Sequence, residues 1–173
     1  MYKIGIIGHS PEYFSVPSVD EVRKIIRDNL NTLSYQYGKD VIFNVVGEIG
    51  AGLWVAEECV VGRADGGHPL NYHLYLPFPS DITSNDWYDY QKELLKKCCN
   101  NARSLTICNS KKMTENESPF EALVNDSNFI ICYWTGKKQG RTFETIKYAL
   151  KNNKMMLNGL NGLSLVTNKN IEK

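Results

Sequence analysis

VIFNVVGEIGAGLWVAEE, residues 41–58, is the stretch whose reading decides the fold. Val41, Ile42, Phe43, Val45 and Val46 make a nearly unbroken apolar run, rich in β-branched and aromatic side chains. Such a run predicts a strand covered on both faces, as in a parallel sheet. Gly47, Gly50 and Gly52 then space a short loop, and Leu53, Trp54, Val55 and Ala56 carry the chain into a helix. Glycines at a strand-to-helix junction let backbone N–H groups approach a ligand, and the positive end of the helix dipole favours an anion there. The spacing, G-x-x-G-x-G, matches neither the dinucleotide fingerprint nor the P-loop. A tight turn without ligand fits it as well as a phosphate cradle does.

Upstream, residues 2–7 read as a first strand, ended by the turn Gly8-His9-Ser10-Pro11. The loop beyond it holds Glu12, Tyr13 and Phe14, at the position where open α/β sheets place ligands. Packing and ligand contact are equally good readings of Tyr13 and Phe14. Ser18 and Glu21 form a capping box, and Val22, Ile25, Ile26, Leu30 and Leu33 follow at helical spacing. The first fifty residues thus read β-α-β with parallel strands.

Downstream, residues 72–78 and 104–108 read as further strands. Between them Ser84 is the expected N-cap of a helix whose buried stripe is Trp87, Tyr90, Leu94 and Cys98. Residues 111–117 are polar and read as a loop, and Ser118-Pro119-Phe120-Glu121 is a second capping box. Residues 129–133, FIICY, are a strand. After them Gly136 and Gly140, with Lys137, Lys138, Arg141 and Thr142, form a second glycine loop, and Phe143, Ile146, Ala149 and Leu150 mark its helix. Residues 155–157 read as a last strand. The expected organisation is one doubly wound, Rossmann-like α/β domain over residues 1–157, with a mainly parallel sheet of five to six strands, and turns and a tail over residues 158–173.

Composition narrows the function classes. The chain has 173 residues, 42% apolar residues and a formal charge of +1, with no basic block, so no nucleic-acid partner is expected. Cys59, Cys98, Cys99, Cys108 and Cys132 contain no C-x-x-C pair and read as reduced core thiols. With no signal-like or membrane-length apolar run, they point to a cytoplasmic protein with no membrane partner. His68 and His73 lack further ligands, so no metal is expected, nor any cofactor.

Two glycine turns at strand carboxyl ends, each opening a helix, are expected to converge on one ligand at the switch point of the sheet. The N–H groups of residues 50–53 and 140–143 would bind phosphate or carboxylate, with Thr142 and Arg141 adding hydrogen bonds. Glu48, inside the first loop, would meet a ribose hydroxyl or a base edge, or be simply exposed. Glu57 and Glu58 lie further along the helix, with at least one facing solvent. Glu144 is either a carboxylate acting on the ligand or a solvated residue complementing the helix dipole, and the phase of Phe143 and Ile146 favours the second.

Together, IIGHSP, GEIGAGLWVAEE and YWTGKKQGRTFETIKYALKNNK resemble the SLOG superfamily, closest to its YspA/YpsA-like branch, related to the Lonely Guy phosphoribohydrolases and the DNA-processing protein A core. The resemblance spans roughly residues 1–157 and rests on motif order and spacing. It implies a Rossmann-like fold that binds nucleotides or nucleotide-derived ligands, in some members as a sensor, and a homodimer. It carries Gly8, His9 and Ser10 onto the first ligand loop, Gly47, Gly50 and Glu57 onto the central loop and helix, and Gly140 and Thr142 onto the phosphate turn. Arg141 stands where the branch has a second glycine. Thr145 stands where the Lonely Guy enzymes have a catalytic glutamate, which argues against their activity. Residues 140–144 also resemble the G-x-x-aromatic-E run of nucleoside deoxyribosyltransferases and nucleotide N-hydrolases, which implies Glu144 as nucleophile; the alternative function is a nucleoside 5′-monophosphate N-glycosidase with Glu144 or Glu48 as its catalytic carboxylate.

Overall fold

The computed structural model describes residues 1–38, 40–62, 69–77, 87–108 and 118–172. Capping, apolar phase and crossover length produce the expected α/β fold. Strands β1 (Lys3–Gly8), β2 (Ile42–Val46), β3 (Asn71–Leu76), β4 (Ser104–Ile107), β5 (Phe129–Tyr133), β6 (Met156–Asn158) and β7 (Ser164–Leu165) form one sheet in the order β4-β3-β2-β1-β5-β6-β7. Every pairing is parallel except that of β6 with β7. The sheet has seven strands, more than the five to six expected. The addition comes from residues 158–172, expected as turns and a tail. They carry β7 and the short helix α6 (Asn168–Glu172), and bury Val166.

Helix α1 (Val19–Tyr37) starts where the capping box predicts. Ser18 Oγ accepts from the Glu21 N–H, and the Glu21 carboxylate accepts from the Ser18 N–H at 2.7 Å. Its buried stripe, Val22, Ile26, Leu30 and Leu33, packs with α2 (Ala51–Val61) and α3 (Asp89–Asn101) on one face of the sheet. Each of those four side chains contributes about 2 kcal/mol of apolar burial. Helices α4 (Pro119–Asn125) and α5 (Gly140–Lys151) cover the other face through Leu123, Val124, Phe143, Ile146 and Ala149. The chain therefore winds outward from β1 to β4 under one helical layer and returns to β5 under the other.

Two details depart from expectation. The stripe of α3 is Leu95, Cys98 and Cys99, while Tyr90 is 69% exposed and stacks on Tyr88. Cys98 is buried as expected and Trp87 and Leu94 pack partly buried against the core, so Tyr90 alone of the expected stripe turns outward; Ser84 lies outside the described residues. Glu57 and Glu58 both face α1: Arg23 bonds Glu57, and Arg27 grips the buried Glu58 with two hydrogen bonds at 2.8 and 3.0 Å. The Asn44 within the apolar run of β2 is fully buried. Its amide donates to Ser127 Oγ at 3.0 Å, and that hydroxyl donates to Leu123 O at 2.6 Å, tying β2 to α4.

All five cysteines are buried thiols, and burial pushes Cys98 and Cys132 up to about 12. No helix among the described residues is long and apolar enough to cross a membrane. Tight packing of α2 on β2 makes Gly52 sensitive, since a Cβ there would sit 2.4 Å from Val46 O. Gly52→Ala is expected to cost about 1–3 kcal/mol, read as a lower urea midpoint at unchanged slope.

Candidate functional site

Because β1, β2 and β5 run parallel, their carboxyl ends share one edge of the sheet, and the loops that follow them meet there. The meeting point is a cleft of about 150 Å³, lined among others by Gly8, His9, Ser10, Tyr13, Glu48, Gly52, Phe120, Gly140, Arg141 and Thr142. Both glycine turns thus reach one cleft at the switch point. They touch directly: Arg141 donates to the Glu48 carboxylate across it. Beyond that ion pair lies a second depression of about 340 Å³, lined among others by Glu48, Phe120, Glu121, Arg141, Glu144 and Tyr148.

Not every expected residue faces the cleft. The space beside Gly47 is occupied by Leu76 and Leu95, where a Cβ would lie 2.4 and 3.1 Å away. Gly50 has φ +121°, and a Cβ there would lie 2.6 Å from His9 O and 2.8 Å from Ser10 Cα. Neither glycine is among the cleft's lining residues. Glu144 lies outside the first cleft, on the second depression, exposed and bridged to Lys147 at 2.8 Å. Thr145 turns inward and donates to Arg141 O at 2.8 Å. Sequence reading missed Phe120, whose ring lies under the Arg141 guanidinium at 5.5 Å. Its signal was topological: α4 follows β4, so its first turn opens at the same edge as the glycine loops.

The helices that meet at this edge of the sheet differ from one another at the N-terminus. Helices α1 and α4 carry complete capping boxes, whereas α2 and α5 have no side-chain cap. The Ala51 N–H of α2 donates to His9 O at 3.2 Å. The first-turn N–H groups that follow it, and those of α5, have no partner of their own within the helix ladder, and the dipoles add positive potential. Arg141 and Lys137 contribute positive charge, Glu48 and Glu12 negative.

Two groups have shifted acidities. Burial raises the Glu48 carboxyl above its ordinary value, against the opposing pull of Arg141. His9 is 2% exposed and stacks on Tyr13 with ring centroids 4.6 Å apart, and its Nε2 has no hydrogen-bond partner among the described residues. Burial, helped by Lys137 and opposed by Glu12, pushes it down to about 4, so it is neutral near pH 7. Donors and cations here suit an anion, and Glu48 is a proton donor or acceptor within reach of it.

Among the described residues no group of three His, Cys, Asp or Glu gathers to hold a metal. His73 is engaged by Ser104 and by Thr106 Oγ1 at 2.8 Å, and His68 lies outside the described residues. No protein-family model matches the chain, and no curated protein matches it.

Between pH 6.5 and about 4 the unfolded chain takes up the His9 proton and the folded one does not, so stability falls as pH drops through that window. Replacing the group by His9→Gln is expected to remove on the order of 2 kcal/mol of that acid-side loss. Urea unfolding at pH 7 and pH 4.5 checks it. The lowered His73 leaves a residual slope of the same sign.

Proposed function

We propose that this protein binds a small phosphorylated ligand of nucleotide type at the switch-point cleft, as a sensor or a sequestering module. The observation that carries the reading is the pair of helix N-termini without side-chain caps, α2 and α5, opening onto one cleft beside Arg141. The phosphate sits against the first turn of α5, near Thr142 and Arg141. The larger depression beyond, at about 340 Å³, falls within the usual size of a small-molecule site and takes the rest of the ligand. The resemblance of the three motifs to the SLOG superfamily supports the same reading, with cytoplasmic residence and a homodimer as parts of the proposal.

Thermal shift tests it. A nucleotide present at about 100 times its Kd stabilises the fold by about 2.7 kcal/mol. The Thr142→Val, Arg141→Ala double variant is expected to lose that shift. A shift left intact places the ligand elsewhere, and no shift with nucleoside mono- and diphosphates, ADP-ribose or cyclic dinucleotides removes the reading.

A second reading rests on the raised carboxyl of Glu48. It is a nucleoside 5′-monophosphate N-glycosidase in which Glu48 protonates the departing base, water adds to the anomeric carbon, and the proton that water loses returns to the Glu48 carboxylate. Glu144, as placed, would act only on a ligand reaching into the second depression. Incubation with a panel of nucleoside monophosphates, followed by chromatography, is then expected to show free base with the wild type and at least 100-fold less with Glu48→Gln. Absence of free base from every substrate leaves the binding module alone.

A further inference from the structure

The ion pair between Arg141 and Glu48 occupies a telling position. Each partner comes from a different glycine turn, and each lines both depressions, as does Phe120. The pair thus forms part of a wall shared by the two depressions. Arg141 is seated on the Phe120 ring and 64% exposed, and Glu48 is 30% exposed. Ion pairs at such exposure hold weakly and exchange partners at little cost, whereas a guanidinium facing a phosphate gains two parallel hydrogen bonds.

We propose that this pair is a displaceable latch, in which the Glu48 carboxylate occupies the guanidinium that an incoming phosphate takes, and the exchange joins the two depressions into one trough. The inference rests on the phosphate-binding reading above and adds a built-in competitor to it. The carboxylate sets a threshold. A single anionic group must outcompete Glu48 for Arg141, while a ligand with a phosphate at one end and a sugar or base at the other is repaid in the second depression once the pair has parted. The latch thereby selects phosphorylated compounds of extended shape over inorganic phosphate.

Calorimetric titration with inorganic phosphate and with adenosine 5′-monophosphate, on wild type, Glu48→Gln, Arg141→Gln and the double variant, tests this. Arg141 is exposed and Glu48 partly buried, and circular dichroism with a thermal melt confirms that each variant is folded. Glu48→Gln is expected to bind phosphate roughly tenfold more tightly than wild type and to narrow the preference for the nucleotide. Arg141→Gln is expected to weaken both ligands, and removing Glu48 in its background should bring no comparable gain, because the carboxylate then has nothing to withhold. Equal or weaker phosphate binding by Glu48→Gln, with wild type still binding the nucleotide, overturns the latch and leaves the binding reading intact. No binding of either probe by any of the four proteins overturns both.

Discussion

Gly50 lies against the backbone of His9 and Ser10 with no room between them for a methyl group. The contact lets the Ala51 N–H reach His9 O, and so joins the loop after β1 to the start of α2. At φ +121° the position also strains any residue with a side chain. Gly8 sits in the same crowd, where a Cβ would lie 2.5 Å from that of Ala51 and 2.9 Å from that of Tyr133. Three parallel strand ends are thus drawn together by absent side chains. The central loop accordingly uses its glycines mostly for packing of protein on protein, and much of the cleft's lining falls to neighbours that carry side chains.

Those neighbours form a nearly balanced set. Arg141 and Lys137 oppose Glu48 and Glu12, and the neutral His9 ring lies buried under Tyr13. The helix ends add positive potential to this set. In α1 and α4 the terminal donors are satisfied by each helix's own serine and glutamate. At α2 and α5 the corresponding side chains are missing. The sequence that caps α1 and α4 fully leaves α2 and α5 without a side-chain cap at the same edge of the sheet.

Much of this was legible in residue order. The apolar runs of β2 and β5, the capping boxes of α1 and α4 and the period of α1 each state a local preference that the tertiary structure does not override. The convergence of the two turns followed from parallel pairing. What stayed hidden was set by distant contacts. Nothing near Gly47 says that Leu76 and Leu95 will take the space beside it, and nothing near Phe120 says that Arg141 will rest on its ring. The exposure of Tyr90 depends on how much of α3 reaches α2, which helical period alone does not encode. The C-terminal strand was lost because Ser164 and Leu165 are a two-residue element, too short to carry an alternation.

The buried amide of Asn44 gives the second helical layer a fixed address. Its bond to Ser127, passed on to Leu123 O, anchors the C-terminal end of α4 to the middle of β2. An apolar contact would let a seven-residue helix slide along its ridge, whereas a directional bond in a dry interior tolerates little displacement. Phe120 rides at the opposite end of that helix, so the seat of the Arg141 guanidinium is levelled from the far side of the layer. Asn44 and Ser127 therefore work as one unit: without the Ser127 hydroxyl the buried Asn44 amide loses its 3.0 Å acceptor, and α4 loses this tie to β2.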